Sequence, residues 1–148
     1  METRKVVIQY HGQPYSFKVR IHQSKSKNRR LIEPEFYLKN GGVIHKGVHH
    51  EIELLESPIW GRLETDLDLP IHIHQNPLTK KFFVCFNGKL STVQEAIAIL
   101  HVWCLGTVYS LIYKEDFGVL ASMHQSKFLA TMRDEYGIVI LEDYVVHK

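Results

Sequence analysis

An α+β fold is predicted, with antiparallel N-terminal strands packed against a C-terminal β-α-β-α-β half that holds two main helices. Three features predict it. Two runs of alternating polarity flank the turn His11-Gly12-Gln13-Pro14, a capped apolar run begins at Ser91 or Thr92, and a second helical stretch stops at Gly137 before a β-rich tail. The chain has 148 residues, 45% apolar and 23% charged, which suits one domain, 1–148. Its β-rich, basic part covers about 1–56 and its mixed α/β part about 57–148. This composition excludes a disordered tail, a collagen-like rod and a disulfide-stapled miniprotein.

Arg4–Tyr10 and Tyr15–His22 alternate and should pair as a hairpin across the Gly/Pro turn. In the second strand Tyr15, Phe17, Val19 and Ile21 share the core face, and Ser16, Lys18, Arg20 and His22 share the other. The segment 24–30 is polar and basic and reads as a loop. Leu31–Lys39 reads as a strand interrupted at Pro34, and Asn40-Gly41-Gly42 as a turn. A further strand is expected within Val43–Leu55. Thr65–Gln75 alternates again and should turn at 75–79 into the apolar strand Lys81–Phe86.

Ser91 with Gln94, or Thr92 with Glu95, completes a capping box. The helix that follows is expected to end at Gly106, as a left-handed C′ residue. Thr107–Tyr113, rich in β-branched and aromatic residues, then reads as a strand. A second helix within Val119–Tyr136 and a strand at Ile138–Val146 complete the order. Ala96–Tyr113 is an uncharged run of eighteen residues, but His101, Gly106, Thr107 and Ser110 within it favour buried elements over a membrane span. The N-terminus METRKVVIQY has no apolar core of the kind a secretory signal carries, so a cytoplasmic protein without a membrane partner is expected.

The net charge of +2 conceals an asymmetry. Residues 1–50 carry ten Lys/Arg and three acids, and residues 51–148 carry eight and thirteen, hence +7 and −5. Such halves attract each other, or attract a polyanion and a basic protein respectively. Cys85 and Cys104 both lie in apolar runs and are expected to be buried, reduced thiols without a catalytic role.

The leading functional expectation is a nucleic-acid-binding module. Lys18, Arg20, Lys25, Lys27, Arg29 and Arg30 fall within thirteen residues that contain no acid, and such cations match phosphate oxygens. Stacking on bases would need an exposed aromatic; Tyr15 and Phe17 belong to the opposite face, and Tyr37 on a neighbouring strand is the substitute. RNA or single-stranded DNA is the partner this surface would take.

A competing expectation is a metal-dependent phosphodiesterase or nuclease built on DLDLPIHIHQ. On a continuous strand His72 and His74 share a face about 7 Å apart at Cα, so both can reach one divalent cation, with Asp68 as ligand or base. Asp68 lies about 13 Å from His72 along a straight strand, so Pro70 would have to bend the chain. His45, His49, His50, Glu51 and His101 are the sources of a further ligand. His-apolar-His is also the metal motif of the HUH nucleases, which nick single-stranded DNA with a helix-borne tyrosine. The match covers three residues, and Tyr109 and Tyr113 are expected in a strand. On the alternative without a metal, no cofactor is needed.

A third expectation is a protein-binding inhibitor or assembly subunit. Its docking surface would be the acidic stretch Glu51–Asp68, in which six acids face Arg62 alone. His45, His49 and His50 are expected at the surface, and His101 as a packed histidine. Phosphate-loop, dinucleotide and nucleophile-elbow motifs are absent from the sequence, and no catalytic residue set stands out. Asn87-Gly88-Lys89 before the capped helix is read as an ordinary connection.

Overall fold

The structure is a computed structural model, and it describes residues 2–26, 47–58, 72–86, 90–121 and 123–146. Strands β1 (Glu2–Tyr10) and β2 (Gln13–Ser26) form the expected hairpin. His11 and Gly12 occupy its tip with positive φ, a conformation glycine adopts without steric cost. Strands β3 (Gly47–Glu56), β4 (Ile73–Gln75) and β5 (Phe82–Val84) follow. Helices α1 (Val93–Tyr113), α2 (Gly118–Ala121) and α3 (Gln125–Tyr136) lead into β6 (Ile138–Val145). The α+β class and the two main helices, α1 and α3, agree with the expectation.

All six strands join one antiparallel sheet in the order β4-β5-β3-β2-β1-β6. The last strand of the chain thus pairs with the first. Strand alternation places Val6, Ile8, Phe17, Val19, Ile21, Ile52, Leu54, Val84 and Ile138 on one face, where they are buried with Leu100, Trp103, Leu105, Phe128 and Met132 of the helices. Phe17 and Trp103 meet edge to face with ring centroids 5.5 Å apart. Each fully buried large apolar side chain here is worth roughly 1.5–3 kcal/mol of transfer free energy.

Three expectations about the chain path are corrected. The basic segment 24–30 does not begin as a loop, because β2 continues through Ser26 and pairs with β3 up to Gly47. Of the expected strand Thr65–Gln75, only the C-terminal end Ile73–Gln75 is seen as a strand among the described residues, and 65–71 lie outside them. His72 has φ 49°, which breaks the alternation, and the ladder begins at Ile73. Finally, Thr107–Tyr113 is not a strand but the second half of α1. Gly106 does not cap this helix; it lies within it, where its missing Cβ admits the ring of Phe117. Every residue from Trp103 to Ser110 is buried, so packing outweighs the weak strand preference of Thr107, Val108 and Tyr109. The helix ends instead at Lys114, in the left-handed conformation with φ 60°.

The start of α1 follows the sequence. Thr92 Oγ1 accepts from Glu95 N at 3.1 Å while Glu95 Oε1 accepts from Thr92 N at 3.1 Å, a complete capping box. The single expected second helix divides into α2 and α3, and Gly137, with φ 68°, ends α3 as expected. A helix apolar on all sides is enclosed by protein or by lipid. By length and composition α1 is apolar enough to cross a membrane, and in this fold its middle is enclosed by the sheet and the other helices.

At the other end of the sheet, Asp143 on β6 ties three elements together. Its Oδ1 accepts from Arg4 of β1 at 2.7 Å and its Oδ2 from His101 of α1 at 2.6 Å. His101 is therefore a packed, partnered histidine, as expected. Asp143→Ala removes the carboxylate that accepts from His101 and leaves the partly buried Arg4 guanidinium with Glu2 alone. A loss of about 2–3 kcal/mol follows, read as a fall of roughly 5–10 °C in Tm. Gly106→Ala is expected to destabilise as well, although alanine is the better helix former by about 1 kcal/mol. The new methyl overlaps the buried Phe117 ring. An unchanged or raised urea midpoint for this variant contradicts the packing described.

Candidate nucleic-acid interface

The sheet face opposite the helices carries the side chains that alternate with the core. Three rows cross it. Tyr144 of β6, Lys5 of β1, Lys18 of β2 and Glu56 of β3 are successive cross-strand partners. The next row runs Thr3, Arg20, Glu53, Phe83, His74. His22 and Glu51 follow as a pair on β2 and β3.

Lys5, Lys18 and Arg20 are half-buried, and among the described residues they make no ion pair. The acid nearest Arg20 in register, Glu53, is engaged elsewhere, since His22 Nε2 donates to Glu53 Oε1 at 2.7 Å. Lys5 and Lys18 face each other directly, at the roughly 5 Å Cβ spacing of antiparallel partners, where like charges repel. Tyr144, 45% exposed, stands beside Lys5 on the same face.

Of the six expected basic residues, Lys18 and Arg20 therefore lie together on this face. Lys25 lies near the end of β2, where its backbone pairs with Val48. Lys27, Arg29 and Arg30 lie outside the described residues. Two contributors were missed. Lys5 is the cross-strand partner of Lys18, a pairing that the hairpin register of the sequence already implies. Tyr144 had no signal at all, because the pairing of β6 with β1 spans nearly the whole chain. Tyr37, the aromatic expected to substitute for Tyr15 and Phe17, lies outside the described residues, and the exposed aromatic seen on this face is Tyr144.

The histidines expected to share a cation separate. His72, turned by its positive φ, pairs through Nε2 with Asp116 Oδ1 and packs on Phe117, on the helix side. That bond to the imidazole, helped by the Gly118 N–H, holds the Asp116 carboxyl below the usual carboxylate range. His74 lies on the far face, stacked on Phe83 at 6.0 Å and 15°. The two imidazoles thus point to opposite sides of the sheet, and Asp68 lies outside the described residues. Among the described residues no three His, Cys, Asp or Glu side chains group as a metal site.

The expected surface histidines are corrected. His49 and His50 are buried, and His50 donates from Nδ1 to the Leu90 carbonyl at 3.0 Å, tying β3 to the start of α1; His45 lies outside the described residues. The other candidate ligands separate too, with Glu51 buried on the far face and His101 bound to Asp143.

The acidic stretch meets a similar limit. Glu51 and Glu53 are buried and Glu56 is exposed, while residues 59–71, which hold its remaining acids, lie outside the described residues. Tyr109 and Tyr113 do ride on a helix, contrary to the sequence expectation. They pack with Tyr136 at ring separations of 5.0–5.4 Å, and Tyr109 donates its hydroxyl to Glu115 at 2.9 Å. Burial, together with this acid, pushes the Tyr109 phenol up to about 12, so it stays protonated at neutral pH. Cys104 is buried as expected, whereas Cys85 is exposed.

Compared with known proteins, the chain matches no family model, no curated protein and no solved structure.

Proposed function

We propose that the far face of the sheet binds single-stranded nucleic acid, RNA or DNA, through Lys5, Lys18, Arg20 and Tyr144. The observation that carries this reading is the row Tyr144–Lys5–Lys18. Two directly opposed ammonium groups repel when the face is empty, and a phosphate between them turns that repulsion into two attractions. Arg20, diagonal to Lys5 and without an ion pair among the described residues, extends the track toward a second phosphate. Tyr144 supplies what a row of cations lacks, a π-face on which an unpaired base stacks. Flat sheet surfaces with exposed aromatics suit splayed single strands, whose bases are free to lie on them. Glu56 borders the patch beyond Lys18 and limits it on that side.

The geometry favours this reading over the other two. His72 and His74 diverge, and two of the acids of the expected docking stretch are enclosed.

Fluorescence anisotropy with a labelled single-stranded oligonucleotide, titrated at several salt concentrations, tests the proposal. The triple variant Lys5→Gln, Lys18→Gln, Arg20→Gln should bind at least tenfold more weakly at low salt. The slope of log K against log salt should fall by about 2, as expected for three lost phosphate contacts on a single strand. Tyr144→Ala should cost about 1–3 kcal/mol of affinity while leaving that slope unchanged, and Tyr144→Phe should retain binding. Absence of binding by the unaltered protein at low salt overturns the proposal, as does a triple variant that binds normally.

A further inference from the structure

The same sheet face carries a second pair of groups, which the nucleic-acid reading does not use. Cys85 follows β5, and His74 lies on β4, its antiparallel neighbour. His74 pairs with Phe83, so Cys85 and His74 are diagonal neighbours on the face away from the helices. Their reactive atoms meet: Cys85 Sγ lies 3.0 Å from His74 Nδ1. We propose that Cys85 and His74 form a thiol–base pair that takes low-molecular-weight disulfides, forming a mixed disulfide at Cys85.

Three features support this assignment. Cys85 is the exposed cysteine, whereas Cys104 is enclosed in the core. Both partners are held by the sheet. The Cys85 N–H donates to the His72 carbonyl at 2.9 Å, and Phe83 stacks on the His74 ring and orients it. The connection from β4 to β5 is braced, because Asn76 Oδ1 accepts from Leu78 N and Thr79 N at 2.9 and 3.1 Å. Against these, desolvation pushes the Cys85 thiol up to about 11, so the resting sulfur is protonated. Among the described residues, the acids nearest to the pair in register on this face are Glu51 and Glu53 of β3, which oppose a thiolate. A thiol in that setting is a poor nucleophile by itself and needs a base at the moment of attack.

In the reaction, His74 Nδ1 takes the thiol proton as Sγ attacks one sulfur of the disulfide. The new S–S bond forms at Cys85 and the old one breaks. The expelled thiolate recovers the proton from His74 and leaves as a thiol. Cys85 Sγ rises from the thiol to the disulfide level while the expelled sulfur falls from the disulfide to the thiol level, so the step is an exchange with no net redox change and needs no other oxidant.

The experiment incubates the full chain with oxidised glutathione at pH 7 and follows each cysteine by peptide mass spectrometry. Cys85 should be modified and Cys104 spared. His74→Ala should slow the modification of Cys85 at least tenfold, and free imidazole added to that variant should restore several-fold of the loss, which no purely structural role of His74 explains. Equal rates in the two proteins overturn the proposal, as does a slow variant that imidazole does not rescue. If His74→Ala also exposes Cys104, the fold has been disturbed and His74→Gln replaces it. Failure of Cys85 in the native chain to react faster than a short peptide containing the same cysteine likewise overturns it. None of these outcomes bears on oligonucleotide binding.

Discussion

Enclosure of α1 is the constraint on which the rest of the structure depends. Its central residues are apolar or small on every side, so the helix cannot lie on a surface with one side in water. The sheet covers it through Phe17 and its neighbours, α3 through Phe128 and Met132, and the turn after α1 folds back so that Phe117 rests on Gly106. That last contact sets how closely the turn approaches the helix, because any side chain at 106 would occupy the space of the ring. The position of Asp116, and with it the partner of His72, follows from this fold-back.

Charge is distributed by the same topology. Because β6 returns to pair with β1 and β3 pairs with β2, acids from the later part of the chain meet cations of the earlier part. Asp143 takes Arg4, and Glu53 takes His22. The opposite charges of the two halves are thereby partly satisfied within the molecule. Among the described residues, what remains on the far face is a smaller and more specific patch than the whole basic half. It consists of two lysines opposed across a hairpin, an arginine on the diagonal and a tyrosine at the edge of the sheet.

The hairpin of β4 and β5 shows how one backbone angle redirects chemistry. An unbroken strand would set His72 and His74 side by side, as a cation would require. The positive φ at His72 sends its imidazole to the helix side, against Phe117 and Asp116, and leaves His74 on the far face with Phe83 and Cys85. Residues that look like one constellation in the sequence thus serve two unrelated surroundings.

Local periodicity and cap chemistry were sufficient to read the first hairpin, the capping box at Thr92, the stop at Gly137 and the α+β class. Each of these depends on residues only a few positions apart, whose mutual geometry the backbone dictates. Gly106 shows the limit. In the sequence it looks like a helix terminator, and only the arrival of Phe117 makes it an interior residue. The exposure of Cys85, the burial of His49 and His50, and the placing of Tyr144 beside Lys5 and Lys18 were equally illegible. They depend on which strands become neighbours across a hundred or more residues, or on what covers a face once the sheet is assembled. The sequence by itself determined the alternating faces and where most elements begin. Tertiary packing decided which of those faces meet, because burial of one shared core outweighs the small local preferences of any single segment.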